Sequence, residues 1–564
     1  MDATVLSPAT PLSPSAACAP APFALEYVRL TKQEHIQLKS DALYWKTQHQ
    51  RASARVKSLE AHHRQVLSKL RLQIAQTASK HKAELDFANG KIRDLRKRLF
   101  GSKSERSPGC EKRSTNTVPP RRGQRAGARS HGRTLQEHLP ARHEEVALED
   151  SNCPSCGLAF KNFAGTEDSQ ILEIEVKAYR RVIHRRRYVP ACRCGCVPGI
   201  VTAPAPARLI SRGKFGLSVW ASVLLDKFKY GRPSHRLLQD LADHGLTMAP
   251  GTLAGGLQAL APLFKPLNIA LQAKLRSEPH WHADETRWAV FVDIEGKVGH
   301  RWYMWVFHSK SVVHYVVDRT RSAQVIVNEL AGVKQGIISC DRYSGYKRFA
   351  RLTPGIVLAF CWVHQRRDFL ELANSYPACA PWALQWVDQI GHLYHLNGLR
   401  VKLALASPAR AVAHANLTHA LQRMQLACAT GLAAPELCLP ARKILRSMTV
   451  HWPGLTVFVD APWVGMDNNQ AERDMRAPVL GRKNFWGSGS EPSAELAATM
   501  YSLFGTLKLW GLNARSWLVD YLQACADNGN RPPERVESFL PWQMDVARLA
   551  LLRSHEAAQD PSRT

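Results

Sequence analysis

The stretch that decides the fold is His280–Val292, which reads HWHADETRWAVFV. Its polar first half carries Asp284, and its apolar second half has the β-branched and aromatic side chains typical of a strand. Two further strand candidates follow at His300–Phe307 and Val312–Val317, after a turn signal at Gly296. The stretch therefore predicts the first strand of a sheet, with a carboxylate close to it.

The elements after these strands predict where a second carboxylate lies. Ser322–Leu330 has the pattern of a helix, and Gly336–Cys340 that of a strand ending next to Asp341. Three strands, a helix and another strand are the element order of a ribonuclease-H-like core, in which the first and fourth strands are neighbours. Asp284 and Asp341 are therefore expected to lie close together in space.

A third acid is expected from a helix further along the chain. The candidate is Glu472 in the stretch MDNNQAER (466–473), where an Asp-Asn pair can cap a helix and place Glu472 in an early turn. Phosphodiester transfer uses two hard divalent ions about 4 Å apart, and carboxylates suit Mg²⁺ or Mn²⁺. Any one of these acids alone is more often a surface carboxylate or a cap, so the interpretation depends on all three together. The cations expected to face a DNA backbone nearby are Arg473, Arg476, Arg482 and Lys483.

Charge is the strongest signal in the composition of this 564-residue chain. Lys and Arg total 76 against 47 Asp and Glu, a formal net charge of +29. Such an excess favours polyanionic partners, because each phosphate that a cation neutralises releases condensed counterions. A basic disordered tail on an otherwise neutral enzyme is the alternative. No apolar run approaches the ~20 residues of a membrane span, and no signal-peptide pattern opens the chain, so a cytoplasmic protein is expected.

The first part of the chain predicts a tail, a long helix and a linker. Residues 1–25 are rich in Ala, Pro and Ser and are expected to be disordered. Residues 26–100 show heptad spacing, which predicts a coiled coil and hence a homo-oligomer; a long helix packed on its own chain is the alternative. Residues 101–145 are basic and punctuated by Gly, Pro and Ser, which predicts a flexible linker. The heptad positions are Val56, Leu59, Val66, Leu70, Ala88, Ile92, Leu95 and Leu99, with His63 filling one further position.

Cysteines cluster in residues 146–205. Two thiolate clusters separated by strand-like sequence predict a small structural zinc-binding domain, and a degenerate site or free thiols are the alternative. The total of 13 cysteines is odd, which argues against a disulfide framework. The candidate ligands are Cys153 and Cys156, together with two of Cys192, Cys194 and Cys196.

Residues 206–275 predict a helix-turn-helix. An apolar helix face at Leu237–Ala242 is followed by a turn at His244–Leu246 and by a second helix that includes Thr252 and Leu257. Pairs of this shape also occur as purely structural helices, so DNA recognition by this segment is one of two interpretations.

The expected fold class is thus multidomain α+β. A coiled coil, a small zinc-binding domain and a helix-turn-helix segment precede a ribonuclease-H-like α/β catalytic domain at residues 276–490. An Ala/Leu-rich stretch at about 371–460 predicts a helical insertion in that domain, and residues 491–564 predict a helical C-terminal segment.

Five motifs, in order, resemble those of transposases of the insertion sequence 66 family, whose catalytic Asp-Asp-Glu triad sits in similar contexts. The resemblance extends outward to the coiled coil, the basic linker, the cysteine segment and Leu540-Pro541-Trp542. The motifs are HADET (282–286), DRYSGY (341–346), CWVHQRR (361–367), DNNQAER (467–473) and LGRKN (480–484).

The resemblance implies that Asp284, Asp341 and Glu472 hold the metal ions while element ends are cut and joined to target DNA through a freed 3′ hydroxyl. It implies DNA in a bacterial nucleoid as the partner, and accessory proteins of the same element. His364 and Arg367 match a family motif and would contact the scissile region; packing and capping of their helix is the alternative.

The resemblance has one departure, and two other functions stay open. Gly195 stands where the last cysteine of the family's second pair would fall, which leaves the zinc ligands undecided. A catalytically silent DNA-binding descendant and a nuclease that cuts without joining are the alternative functions. Three acids near phosphate would repel it unless metal were present, which favours catalysis over binding alone.

Overall fold

The computed structural model describes residues 29–100, 143, 155–159, 176–189, 200–295 and 299–553. The predictions for residues 1–25, for nearly all of the linker and for most of the cysteine segment lie outside these ranges. Cys156 is described and exposed, whereas Cys153, Cys192, Cys194 and Cys196 lie outside the described residues. The chain forms two compact units, Met1–Gly101 and Ser102–Thr564.

In the first unit, the described residues form one helix of 69 residues, α1 (Lys32–Phe100). A capping box begins it: the Thr31 hydroxyl accepts the Glu34 N–H at 3.3 Å, and the Glu34 carboxylate accepts the Thr31 N–H at 2.8 Å. The apolar side chains at its heptad positions from Val56 to Leu95 are open to solvent, with Val56 53% and Leu70 46% exposed. A single helix cannot bury such a row against itself, so this unit carries an uncovered apolar seam.

The second unit is built on a mixed sheet. Its strand order is β5-β4-β3-β6-β7, with the short β8 alongside β3. β3 is antiparallel to β4 and parallel to β6, which is the adjacency of first and fourth strands that the element order predicts. A separate two-stranded sheet consists of β1 (Arg187–Tyr188) and β2 (Val201–Thr202). The main strands are β3 (His280–Val290), β4 (Arg301–His308), β5 (Val313–Asp318), β6 (Gln335–Cys340), β7 (Gly355–Phe360) and β8 (Gly487–Ser488).

Helices precede, interrupt and follow this sheet. Before it lie α2 (Leu217–Leu224), α3 (Ser234–Asp243), α4 (Pro250–Leu260) and α5 (Lys265–Arg276). Between strands lie α6 (Ala323–Glu329), α7 (Ser344–Leu352), α8 (Trp362–Ser375), α9 (Ala380–Val401), α10 (Pro408–Ala433), α11 (Leu439–Leu455), α12 (Val457–Asp460), α13 (Asn469–Asp474) and α14 (Arg476–Phe485). After it lie α15 (Glu491–Leu509), α16 (Ala514–Asp527) and α17 (Val546–Leu552). The architecture is mixed α+β.

Buried tryptophans fix the central strand β3 to its surroundings. Trp281 and Trp288 are at most 1% exposed. The Trp281 indole N–H donates to the Leu275 carbonyl at 2.8 Å, and that of Trp288 to the Ser488 hydroxyl at 3.1 Å. Both rings bury large apolar area and still satisfy their polar atom, so the strand that carries Asp284 is held at both ends.

The edge of the sheet at β5 is covered by α15. The Val313 N–H donates to the Thr506 hydroxyl at 3.1 Å, and the Tyr315 N–H to the Ser502 hydroxyl at 2.7 Å. An open edge strand is a template for pairing with other chains, and these two hydroxyls satisfy the backbone groups that would otherwise face solvent.

The segment before the sheet contains two helices joined by a turn. Leu237 of α3 and Leu253 of α4 are buried. Gly245 in the turn has φ +79°, a left-handed conformation that glycine adopts at little cost. Pro250 is the first residue of α4, where its missing N–H leaves no helical hydrogen bond unmade.

The stretch at about 371–460 is helical, with α9, α10 and α11 as its main elements. The Arg400 side chain, 1% exposed, donates to the carbonyls of Phe458 at 2.7 Å and Val459 at 2.9 Å. This ties α9 to α12, just before the stretch that carries Glu472. Among the described residues, no helix is both long enough and apolar enough to cross a membrane.

Candidate active site

Asp284 in β3 and Asp341, directly after β6, lie on neighbouring parallel strands. The parallel register pairs His282 with Ser339, two residues before each aspartate, so alternation along the strands gives the two carboxylates the same direction. Backbone N–H groups orient both: Glu285 N–H donates to Asp284 Oδ1 at 2.9 Å, and Tyr343 N–H to Asp341 Oδ1 at 2.8 Å.

The charges of the other two predicted acids both act on Asp284. Burial raises the pKa of Asp284 to about 8, and the charge of Glu285 is the next cause. Asp341 and Glu472 each raise this pKa as well. Neighbouring negative charges that raise the pKa of a carboxyl group are a feature of acids sharing a site, and a cation placed among them would relieve the repulsion.

Glu472 lies in the first turn of α13 and points toward α8. Its Oε1 is buried and accepts no hydrogen bond within the described part of the chain. The same oxygen lies 3.8 Å from Nε2 of His364. Among the described residues, one group of potential metal ligands has all its donor atoms within 4.8 Å: Cys361, His364 and Glu472. The three acids thus interact electrostatically, while the Glu472 carboxylate lies beside the Cys361 thiol and the His364 imidazole.

Asn468 holds the helix of Glu472 against the strand of Asp284. It is the N-cap residue of α13, but its side chain does not cap that helix. Its amide nitrogen donates to the Ala283 carbonyl at 2.8 Å, and its amide oxygen lies 3.1 Å from His282 Nδ1. The turn before α13 is instead closed by Asp467, whose carboxylate accepts the Asn469 N–H at 3.1 Å. The Asp-Asn pair thus fixes this helix, with only Asp467 acting locally.

We expect Asn468→Ala to lower the turnover of the protein on DNA about a hundredfold, because displacing a reactive group by about 1 Å costs this much. The side chain is 2% exposed and links α13 to β3, so its loss releases the helix of Glu472 from the strand of Asp284. Turnover at saturating DNA and DNA affinity should be measured together. Asn469→Ala, one residue on, is the matched control; equal losses in both variants would assign no positioning role to Asn468.

Glu285 is a fourth acid, and it already has a cationic partner. Its side chain is 2% exposed and forms an ion pair with Arg321. The Tyr346 hydroxyl donates to its other oxygen at 2.7 Å, and the Arg321 guanidinium lies 4.0 Å from the centre of the Tyr343 ring. Sequence reasoning gave none of these residues a role. Glu285 and Tyr346 stand in the HADET and DRYSGY motifs, whereas Arg321 lies between β5 and α6 with no motif to mark it.

The four cations predicted near Glu472 differ in their surroundings. Arg482 donates to the Thr286 hydroxyl at 3.1 Å and to the Arg287 carbonyl, so it joins α14 to β3. This contact gives Arg482 a structural role. The exposed cations on α13 and α14 are Arg473, which donates to the Gln470 side chain, Arg476 and Lys483.

His364 and Arg367 share the first turns of α8, which starts after Cys361. Burial is the largest cause that lowers the pKa of His364, and the charge of Arg367 adds to it. Glu472 and Asp341 act in the opposite direction. His364 therefore faces the acids, while Arg367 is partly exposed on the same helix.

Comparison with known proteins identifies relatives for most of the chain. The family described as "Transposase IS66 family" matches residues 212–496, a span that includes Asp284, Asp341 and Glu472. Uncharacterized protein y4jD of Sinorhizobium fredii is 30% identical over 444 residues, which is 75% of this chain and 83% of the relative. Uncharacterized protein y4hP of the same organism is 27% identical over 510 residues, 82% of this chain and 89% of the relative. No solved structure matches the chain.

Proposed function

Because the chain belongs to the transposase IS66 family, we propose that it cuts the ends of an insertion sequence and joins them to target DNA. The observation that carries this proposal is that Asp341 and Glu472 both raise the pKa of Asp284, although the three acids come from two neighbouring parallel strands and a distant helix. A protein that only binds DNA has no use for three acids beside a phosphate backbone.

The donor set of the three acids fits Mg²⁺ or Mn²⁺. All its ligand atoms are carboxylate oxygens, which these hard ions prefer. A cation bound here would lower the raised pKa of Asp284 and could contact the Glu472 oxygen, which accepts no hydrogen bond from the described residues. When bound, two such ions activate the attacking oxygen and stabilise the leaving one.

The chain's own residues prepare this site. Arg321 and Tyr346 bind the Glu285 carboxylate. The other three acids are therefore the ones proposed to bind metal ions. Asp284 must release its proton before it can bind one. Arg473, Arg476 and Lys483 are exposed on the two helices that follow Glu472, where they can contact DNA phosphates and fix the strand without reading its sequence.

Recognition of the element ends is assigned to segments before the sheet. The proposal treats the α3–α4 pair as a helix-turn-helix, a motif that places its second helix in a major groove. Residues 146–205 are proposed as a zinc-binding domain that supports it, with Zn²⁺ in a structural role. The net charge of +29 suits DNA as the partner in the bacterial nucleoid.

The exposed seam of α1 is proposed to join protomers as a coiled coil. Deleting residues 26–100 is therefore expected to reduce the molar mass of the particle to that of a monomer, because the heptad side chains lose their partners. Light scattering on the full chain and the truncated chain measures this directly. An unchanged degree of association would place the oligomer contact elsewhere.

An assay of the DNA products tests the proposed function. A labelled element end is incubated with target DNA and Mg²⁺ or Mn²⁺, with the accessory proteins of the element supplied in a parallel reaction. A transposase leaves the donor end covalently linked to target DNA. Cleaved ends without joined product would identify a nuclease, and binding without either product in both reactions would identify a silent descendant.

A further inference from the structure

We propose that Cys361, His364 and Glu472 form a binding site for a soft divalent ion of the Zn²⁺ class, distinct from the three-acid site but sharing Glu472 with it. Binding of the ion does not depend on the proposed function. Its consequence does: an ion held here occupies the Glu472 carboxylate, so Zn²⁺ acts as an inhibitor of strand transfer.

The geometry of the three donors is close to that of a metal site. Their ligand atoms all lie within 4.8 Å of one another, and His364 Nε2 is 3.8 Å from Glu472 Oε1. Tetrahedral zinc with ordinary bond lengths separates such atoms by roughly 3.3 to 3.6 Å. Closing the site therefore brings donor atoms closer by up to about 1.2 Å, a distance that side-chain rotation can supply.

The surroundings of Cys361 are those of a bound thiolate. The side chain is buried, and its sulfur accepts the Asn468 N–H at 3.3 Å. Cys361 is the N-cap residue of α8, and the backbone N–H groups of Val363 and His364 act to lower the pKa of its thiol. Hydrogen bonds of this kind orient a metal ligand and stabilise its negative charge. Burial raises the pKa of the thiol to about 11, so binding transfers its proton to solvent as the metal–sulfur bond forms.

The site is also accessible and incompletely satisfied. The side chains of His364 and Glu472 are 26% and 34% exposed, so the group of donors lies near the protein surface. His364 Nδ1 and Glu472 Oε1 are buried without hydrogen-bond partners in the described part of the chain. A thiolate and an imidazole favour Zn²⁺ strongly over Mg²⁺, so a large excess of Mg²⁺ would not empty the site.

Equilibrium dialysis of the full chain against Zn²⁺, with excess Mg²⁺ present, tests the proposal. We expect wild type to bind one more ion per chain than Cys361→Ser. Serine also accepts backbone N–H groups at an N-cap, so this variant keeps the start of α8. Ions held by residues 146–205 are common to both proteins and cancel in the difference. His364→Gln should lose the same single ion, and Cys428→Ser, a buried cysteine in α10, should lose none.

Cobalt gives a second readout of the same site. The difference spectrum of Co²⁺-loaded wild type minus Cys361→Ser should show a thiolate-to-cobalt charge-transfer band. Equal stoichiometry in all four proteins and a featureless difference spectrum would overturn the proposal. Should the extra ion be found in a protein that makes no DNA product, the ion site stands and the proposed function fails. Joined product from a protein that does not bind the extra ion would support the proposed function and overturn the ion site.

Discussion

Asp284→Asn is expected to lower DNA cleavage and joining about a thousandfold or more. The substitution removes a proposed ligand of ions that lower the activation barrier by several kcal/mol, and each 1.36 kcal/mol is a factor of ten in rate. Asparagine keeps the oxygen that accepts the Glu285 N–H, so the strand is not disturbed. DNA affinity should change by less than about twofold, because no cation that faces phosphate is removed.

The same variant is expected to be more stable than wild type when metal is absent. Burial and the charges of Glu285, Asp341 and Glu472 disfavour ionised Asp284, and the neutral amide relieves this cost. Thermal unfolding in EDTA at pH 8.5, above the raised pKa of Asp284, should therefore give a higher midpoint for Asp284→Asn. Asp293→Asn, in the exposed segment after β3, is the control for both measurements. Strand transfer retained by Asp284→Asn would remove this residue from the proposed triad.

Glu329→Ala is expected to lower the free energy of unfolding by about 3 to 5 kcal/mol, the usual cost of breaking a buried ion pair from one side. Glu329 Oε1 lies 2.6 Å from His314 Nδ1, and both side chains are at most 3% exposed. Gln272 donates to the other Glu329 oxygen at 2.9 Å. The network joins α5 to the sheet and to α6, so its loss loosens the support of β5. Chemical denaturation measures the change.

The acid limb of the stability curve gives an independent check on this network. Burial alone would raise the pKa of Glu329, but His314 and the hydrogen bonds that Glu329 accepts lower it below 4.5 overall. A lowered carboxylate pKa adds stability above the ordinary value, and this stability is lost as pH falls from about 4.5 through the folded-state pKa. Glu329→Gln should therefore show a shallower loss of stability in that range.

An exposed pair supplies the contrast. Glu491 lies 2.9 Å from Arg319, with side chains 41% and 50% exposed. Glu491→Ala should cost at most about 1 kcal/mol, because water screens such a pair. A cost for Glu329→Ala as small as that of Glu491→Ala would contradict the role given to the buried network.

The sequence predicted the sheet well because its signals there are local and periodic. Apolar runs predicted β4, β5 and β6 to within a residue or two. The beginning of β3 was harder to place: its polar residues from His280 onward pair with β4 and β6, and no apolar run marks them. Placement of Asp284 beside Asp341 followed from the element order, which is a rule about topology and needs no side-chain detail.

The sequence did not predict side-chain contacts between residues that are far apart along the chain. Arg321 pairs with Glu285, yet nothing near Arg321 in the sequence distinguishes it from other surface arginines. Asn468 had a sufficient local explanation as a cap, and its real contacts are to β3 and to Cys361. Cys361 itself has the sequence of a small core residue, and only the fold brings its sulfur to His364 and Glu472. Such contacts depend on tertiary packing, which a single sequence does not display.

The proposed function requires three acids that act together in strand transfer. Glu472 is the acid whose role most needs a direct test, because it comes from a separate helix. Joining of a labelled element end to target DNA should be measured with Mg²⁺ or Mn²⁺ for wild type, Glu472→Gln and Glu495→Gln, an exposed acid on α15. The account predicts metal-dependent joined product from wild type and Glu495→Gln, and none from Glu472→Gln. Joined product from Glu472→Gln at the wild-type rate would contradict it.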